Sequence, residues 1–279
     1  MSARMIRRAI THLVMITLVL LWILPVWSSL LMGFKTTQEY RAQQFWELPK
    51  SWAILDNLAA ALSKAHLLEN YFNSMLYGLV GAAGAILIAA LAAYTLVWFR
   101  PRLGFLIFMV IWSGTIFPSQ MYLIPLFRSF LTLHLYDTRL GMCLFYIAIA
   151  IPFSVFVFRG SFSTVPREIG EAARLDGCSN MGVLWRFVFP LSKSAVAVLL
   201  LFIFIWVWND LIFGLVLTRS TRARPVMAAL SQLIGAYTGG TNYPILMAAT
   251  LFVTLPVVVL FAVLKNQFIK GLTLTTAGE

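Results

Sequence analysis

Phe72-Asn-Ser-Met-Leu-Tyr-Gly-Leu-Val-Gly-Ala-Ala-Gly-Ala-Ile-Leu-Ile-Ala-Ala-Leu-Ala-Ala-Tyr-Thr-Leu-Val-Trp98 runs for 27 residues without an Asp, Glu, Lys or Arg. A helix crosses the hydrocarbon core of a bilayer with about 20 predominantly apolar residues, so this stretch is long enough to span. Five further segments meet the same test, at residues 11–32, 104–127, 140–158, 194–217 and 244–264. All are continuously apolar rather than alternating, which selects helices over a barrel. The expected fold is therefore an all-α membrane protein with six transmembrane helices in one domain, residues 1–279. Composition agrees: 61% of the chain is hydrophobic, 11% is charged and mean hydropathy is +0.87. A soluble domain carries about a quarter charged residues.

Six spans place both termini on one side, and the basic residues choose which. Arg4, Arg7 and Arg8, then Arg100 and Arg102, then Arg159, Arg167, Arg174, Arg186 and Lys193, then Lys265 and Lys270 fall on one face, twelve in all. The other face holds Lys35, Arg41, Lys50, Lys64, Arg128, Arg139, Arg219, Arg222 and Arg224, nine in all, four of them in one long loop. The short Arg100-Pro-Arg102 link weighs most, and the positive-inside rule puts both termini and residues 159–193 in the cytoplasm. The net charge of +11 is thus a matter of topology, and no nucleic-acid partner is expected. Cys143 and Cys178 form no disulfide pattern, and with His12, His66 and His134 scattered there is no metal-ligand spacing. No cleavable signal peptide reads at the start, so the N-terminus is expected to be kept.

Outside the membrane, residues 33–71 should form short surface helices, and residues 218–243, with Arg222, Arg224, Pro225 and Gly239-Gly240, are long enough to touch a soluble partner. Gly81, Ala85, Ala89 and Ala93 recur every four residues and form a small-residue stripe for close helix packing. Pro25, Pro118, Pro125, Pro152 and Pro256 interrupt the spans. The sharpest anomaly is Trp208-Asn209-Asp210, because an acid inside a span costs on the order of 3 kcal/mol by insertion scales. Asp210 should sit roughly 10 Å below the outer helix end. It either lines a substrate path with Asn209, joined by Gln120 and Tyr122 of the third span, or makes a structural hydrogen bond. The sequence leaves both open.

The link between spans four and five reads Pro166-Arg-Glu-Ile-Gly-Glu-Ala-Ala-Arg-Leu-Asp-Gly-Cys-Ser-Asn-Met-Gly-Val-Leu-Trp-Arg-Phe-Val-Phe-Pro190. Pro166 suits a helix start. Ile169, Ala172 and Ala173 offer an apolar face, and Glu171 is spaced to pair with Arg167 or Arg174. Asp176-Gly177 is a helix stop. Ser179 can cap a second helix running to Phe187, and Pro190 breaks it. A helix-turn-helix on the cytoplasmic face is expected, with Ala172, Ala173 and Gly177 small enough for another protein to approach.

Glu171-Ala172-Ala173, then Gly177, then Pro190 at that spacing resembles the EAA signature of permease subunits in bacterial ATP-binding-cassette importers. Phe187 and Phe189 stand at its aliphatic positions. Nearly the whole chain is similar to the smaller permease of maltose-type sugar importers, with Phe117-Pro118-Ser-Gln-Met-Tyr-Leu-Ile-Pro125-Leu, Trp208-Asn209-Asp210 and Phe268-Ile-Lys-Gly271-Leu-Thr273 as supporting stretches. The tail Thr275-Thr-Ala-Gly-Glu279 departs from the family's basic ending. The resemblance implies a coupling helix between spans four and five that docks an ATPase. Glu171 would make a polar contact with a basic ATPase residue, Ala172, Ala173 and Gly177 would pack closely, Asp176 would belong to the coupling turn, and Phe187, Phe189 and Pro190 would complete the motif. It also implies a second permease in a heterodimer, two copies of a cytoplasmic ATPase that hold ATP and magnesium, and an extracytoplasmic binding protein that delivers a sugar. The chain would bind no cofactor, catalyse no reaction and reside in the bacterial inner membrane. In maltose-type members the larger permease makes most substrate contacts. The competing reading is an ion-coupled secondary transporter with Asp210 as its relay. A membrane enzyme finds no support, since Walker-type, Gly-x-Ser-x-Gly and His-Glu-x-x-His motifs are absent.

Overall fold

A computed structural model of the chain describes residues 3–42, 45–235 and 241–273, with side chains at 5, 7–42, 45–235 and 241–266. Expectations on Gly239, Gly240 and the tail from Thr275 to Glu279, and on the side chains of Arg4, Lys270 and residues 268–273, lie outside the described residues. Every described element is helical: α1 (Ala3–Phe34), α2 (Thr37–Ala42), α3 (Ile54–Lys64), α4 (Leu67–Tyr94), α5 (Gly104–Ser113), α6 (Leu123–Thr132), α7 (Arg139–Ser163), α8 (Arg167–Leu175), α9 (Asn180–Val183), α10 (Phe189–Leu191), α11 (Lys193–Trp208), α12 (Ile212–Leu217), α13 (Val226–Ser231) and α14 (Tyr243–Thr273). A π-helical turn at Thr95–Phe99 extends α4, and a second at Leu184–Val188 joins α9 to α10.

Among the described residues four helices are apolar and long enough to cross a bilayer, within Arg7–Phe34, Leu67–Phe99, Arg139–Ser163 and Tyr243–Asn266, and a fifth candidate is the bent pair Asn180–Leu191 and Lys193–Trp208. The residues of 104–127 do not form one helix. Gly114 ends α5, and Pro118, which lacks an N–H and holds Phe117 out of the helical region, keeps the chain open until a 3₁₀ turn at Ser119–Tyr122. Pro125 then falls in the first turn of α6, where no N–H is needed. The residues of 194–217 are also broken, at Asn209–Leu211 between α11 and α12. The second loop helix runs past Phe187, and the break expected at Pro190 comes at Ser192, two residues on. A π turn at Leu184–Val188 precedes Pro190, the helix runs on to Leu191, and the axis bends by 76° before Lys193.

The described residues form two compact units, one within 1–67 and 229–255, the other within 68–228 and 256–279. In the first, α1 is capped by α3, for Asn57 Nδ2 donates to the Gly33 and Lys35 carbonyls at 2.9 Å each. Thr36 and Glu39 form a reciprocal capping box at the start of α2. Hydrogen bonds from the Ser51 hydroxyl and the Thr36 N–H hold the Glu39 carboxyl below the usual range. No residue in the apolar window of α1 is buried.

In the second unit α7 is the central helix, flanked by α4, α5 and α11. Gly81, Ala85, Ala89 and Ala93 are all buried. A Cβ on Gly81 would stand 3.1 Å from Tyr146 Cβ, and one on Gly84 would stand 2.7 Å from Ile147, so these positions set the α4–α7 approach. The core there is aromatic, with Tyr77, Tyr146, Phe158 and Trp208 essentially without exposure.

Candidate functional site

The loop 159–193 is built on the ends of α4 and α7. α8 buries Gly170 and Ala173 and half-buries Ile169, while Glu168, Glu171, Ala172, Arg174 and Leu175 face outward. Ala172 is thus not part of the buried face. The 3.6-residue period puts Gly170 and Ala173, three apart, on one stripe and turns Ala172 about 100° away. Gly170 lies against the Trp98 ring, which stacks on Tyr94 at 5.6 Å. Arg167 Nη2 donates to the Val97 carbonyl at 2.9 Å. That carbonyl belongs to a helix end with no intrahelical donor, so the guanidinium goes there rather than to Glu171. Among the described residues Glu171 makes no ion pair with Arg167 or Arg174.

α8 closes with a Schellman turn. Cys178 N donates to the Ala173 carbonyl at 2.9 Å and Gly177 N to the Arg174 carbonyl at 3.0 Å. Gly177 takes φ +85°, a conformation that strains any L side chain. Ser179 then caps α9, its Oγ accepting from Gly182 N at 3.1 Å. Val183, Leu184 and Val188 anchor the second arm in the core. Phe187 and Phe189 are half-buried, Phe189 beside Trp185 at 5.0 Å and Phe158 at 6.0 Å, and Pro190 is exposed. The outward surface of the two arms carries Glu171, Ala172, Asp176 and Gly177 together with Leu175, 90% exposed, and Met181, 54% exposed.

Asp210 sits in the break after α11. Its Oδ1 accepts from Phe213 N at 3.2 Å and its Oδ2 from Gly214 N at 3.1 Å, which caps α12. Tyr146 Oη of α7 donates to Oδ2 at 2.8 Å. Asn209 is exposed and turns its Nδ2 onto the Ile205 carbonyl. Gln120 is exposed and Tyr122 half-buried in the 3₁₀ turn, and among the described residues neither bonds to Asn209 or Asp210. None of the four lines the apolar cavity of about 250 Å³ between α7 and α11, formed by Ile149, Ala150, Phe153, Phe202, Ile203 and Trp206.

Residues 218–226 are held by a polar latch that the sequence did not reveal. Asn73 Nδ2 donates to the Thr221 and Arg224 carbonyls, Tyr77 Oη to the Ala223 carbonyl, and Val226 N to Ser74 Oγ. Arg139 Nε donates to Asn73 Oδ1 and the Arg222 carbonyl. Asp137 accepts from Arg219 N and Ser220 N at 2.8 and 2.9 Å. Burial raises the Asp137 carboxyl, but these N–H groups outweigh it and hold the group below its ordinary range. Gly170, Trp98 and Leu175 were also missed. The available signal was a glycine in the interior of a short helix, which costs about 1 kcal/mol unless a neighbour needs the space.

Known proteins share this architecture. The chain is 28% identical over 256 residues to the arabinooligosaccharides transport system permease protein AraQ of Bacillus subtilis strain 168, covering 91% of this chain and 90% of the relative. It is 26% identical over 259 residues to the diacetylchitobiose uptake system permease protein NgcG of Streptomyces coelicolor, covering 93% and 85%. Its fold matches a chain in the crystal structure of a bacterial ABC transporter involved in the import of the acidic polysaccharide alginate, with a TM-score of 0.83 at 21% identity over 96% of this chain and 99% of that one. Residues 85–273, including the whole of the α8–α10 loop, match one family along their length, and the chain belongs to it: the inner membrane components of binding-protein-dependent transport systems.

Proposed function

We propose that this chain is a permease subunit of an ATP-binding-cassette importer for a carbohydrate, one transmembrane domain over residues 1–279. Six spans cross the bacterial inner membrane, the third and fifth as broken helices, with both termini cytoplasmic. The α8–α10 loop is the coupling element. Its inner face is locked to α4 by Gly170, Trp98 and Arg167, while Glu171, Ala172, Asp176, Gly177 and Leu175 are left to meet an ATPase. The observation that carries this reading is that outward surface. Leu175 and Met181, 90% and 54% exposed, stand beside small residues on a loop fixed from behind by Gly170, Trp98 and Arg167, a surface suited to a protein cleft. Phe187, Phe189 and Pro190 support the second arm from within.

ATP and magnesium belong to the partner chains. Two ATPase copies drive the cycle, a second permease completes the pathway, and an extracytoplasmic binding protein delivers the sugar. The uncovered apolar face of α1 suits lipid or that second permease. A solved structure of similar fold, with a TM-score of 0.52 at 16% identity, is that of a bacterial alginate ABC transporter in complex with an alginate pentasaccharide-bound periplasmic protein, which supports the binding-protein step. Asp210, with both oxygens already engaged, positions α12 against α7, and Asn209, Gln120 and Tyr122 remain the polar candidates for the pathway. Those bonds favour a structural role for Asp210 over the relay that an ion-coupled carrier needs.

Affinity purification of the tagged chain from native membranes, followed by sugar uptake in liposomes, tests the proposal. An ATPase, a second permease and ATP-dependent uptake are expected. Isolation of the chain alone, active without ATP under an ion gradient, would overturn it.

A further inference from the structure

Arg100 and Arg159 line one cavity of about 340 Å³, together with Leu96, Val97, Gly160 and Ser163. It lies where the π turn at the end of α4 meets the last turns of α7. Arg100 ends the π turn in a left-handed conformation, φ +46°, which is uncommon for a residue with a side chain. Arg159 lies over the Phe108 ring, 4.4 Å from its centroid, so its position is fixed by an aromatic face. Among the described residues neither guanidinium has a carboxylate partner. Gly160 leaves the space open: a Cβ there would meet nothing within 4 Å.

Two exposed guanidiniums on one groove, with no carboxylate beside them, suit an anion, and arginine matches phosphate geometry best. The walls select among phosphates. Leu96 and Val97 line the cavity, and Phe99, Leu103 and Phe105 close by in sequence are 50%, 63% and 72% exposed. A free phosphate gains nothing from such surroundings, whereas a phospholipid lays its chains along them. We propose that this cavity binds the phosphate headgroup of an anionic phospholipid of the cytoplasmic leaflet. The proposal rests on the topology given above, which places Arg100 and Arg159 in the cytoplasm, where basic pockets between spans recruit anionic lipid.

The test is a titration of the delipidated full-length chain in mild detergent, with melting temperature as readout. The probes are short-chain phosphatidylglycerol, phosphatidylcholine with the same chains, and inorganic phosphate. Phosphatidylglycerol alone should raise the melting temperature. Arg100→Gln combined with Arg159→Gln should weaken its apparent affinity about 30-fold, from roughly fivefold for each surface charge. Gly160→Leu keeps both charges but fills the cavity, and should weaken it as much. Equal stabilisation by phosphatidylcholine, or by inorganic phosphate, overturns the lipid assignment, as does Gly160→Leu binding like the parent. Failure of the topology is read separately. In a chain with Cys143 and Cys178 replaced by serine, an Arg102→Cys variant should react with an impermeant thiol reagent only from the cytoplasmic side. Labelling from outside sinks the topology, whereas loss of lipid preference with labelling from inside sinks the lipid site alone.

Discussion

Gly170→Ala changes one hydrogen to a methyl at the point where α8 meets α4. The new Cβ would fall on the far edge of the Trp98 ring and within 3.2 Å of Val183 Cγ1. Trp98 is stacked on Tyr94, and Arg167 ties the same helix to the Val97 carbonyl, so the ring and α8 have little freedom to part. Overpacking of this kind costs about 1–3 kcal/mol. Alanine returns about 1 kcal/mol of helix propensity. The net expectation is a weakening of α8 by about 1 kcal/mol, or roughly fivefold faster hydrogen exchange over residues 167–178. Trp98→Ala removes the obstruction. In that background the propensity gain is opposed only by the 3.2 Å approach to the tip of Val183, so Gly170→Ala should slow exchange, by up to a similar factor. The sign reversal corresponds to a coupling of about 2 kcal/mol, within the range for residues in contact. Exchange mass spectrometry on the four full-length chains in nanodiscs measures it. The same sign in both backgrounds would show that the Trp98 contact does not constrain α8.

Other perturbations probe the remaining parts. Gly177 has φ +85° and open space around it, so substitutions should be ranked by backbone strain alone. Asn is expected to be mildest and Val worst, with about 1–2 kcal/mol lost for Ala, read as exchange at the α8 terminus; a flat series refutes the Schellman turn. Tyr146→Phe removes the bond to the Asp210 carboxylate and should cost about 1.5–3 kcal/mol in thermal stability of the purified chain. An unchanged melting temperature with lost sugar uptake would instead restore Asp210 to the pathway. Because the Asp137 carboxyl is held low in the folded chain, its stabilisation is complete above the ordinary value of about 3.9 and is lost as pH falls through the depressed native value. Melting temperature against pH should therefore be flatter below pH about 4 for Asp137→Asn, and lower than the parent above it; parallel curves would dismiss the bond to residues 219 and 220.

Hydropathy finds helices by counting apolar residues, and it located α1, α4, α7 and α14 because nothing in those runs interrupts the backbone ladder enough to break it. Pro25, Pro152 and Pro256 lie within three of these helices without ending them. In the third segment Gly114 and Pro118 act together on the backbone, and no hydropathy sum registers that. Asp210 stood out as a charge among apolar residues, yet its partner Tyr146 lies 64 positions earlier in the chain. No local pattern pairs them. The helix-turn-helix of 166–190 was legible because caps and stops are local signals, as Ser179 and Gly177 bear out. Which face of α8 turns inward was not, because it is decided by Trp98, an indole from another helix. Gly84 and Gly170 are alike in this: glycine announces a close approach without saying what approaches.

The latch on residues 218–226 also imposes an order on biosynthesis. Asn73, Ser74 and Tyr77 bond to groups 146 to 152 positions later, and all three are buried in the finished structure. At a synthesis rate of about 5–20 residues per second, that separation is a wait of roughly 8–30 s. A bilayer offers no substitute partner during that interval. The start of α4 is then expected to stay at the water interface until residues 221–226 arrive, and to settle to its final depth only afterwards. Glycosylation-distance mapping on nascent chains stopped before and after residue 226 would register that movement as a shift in the apparent edge of α4. The final position of the second span is on this account set by residues that the ribosome has not yet translated when that span first enters the membrane.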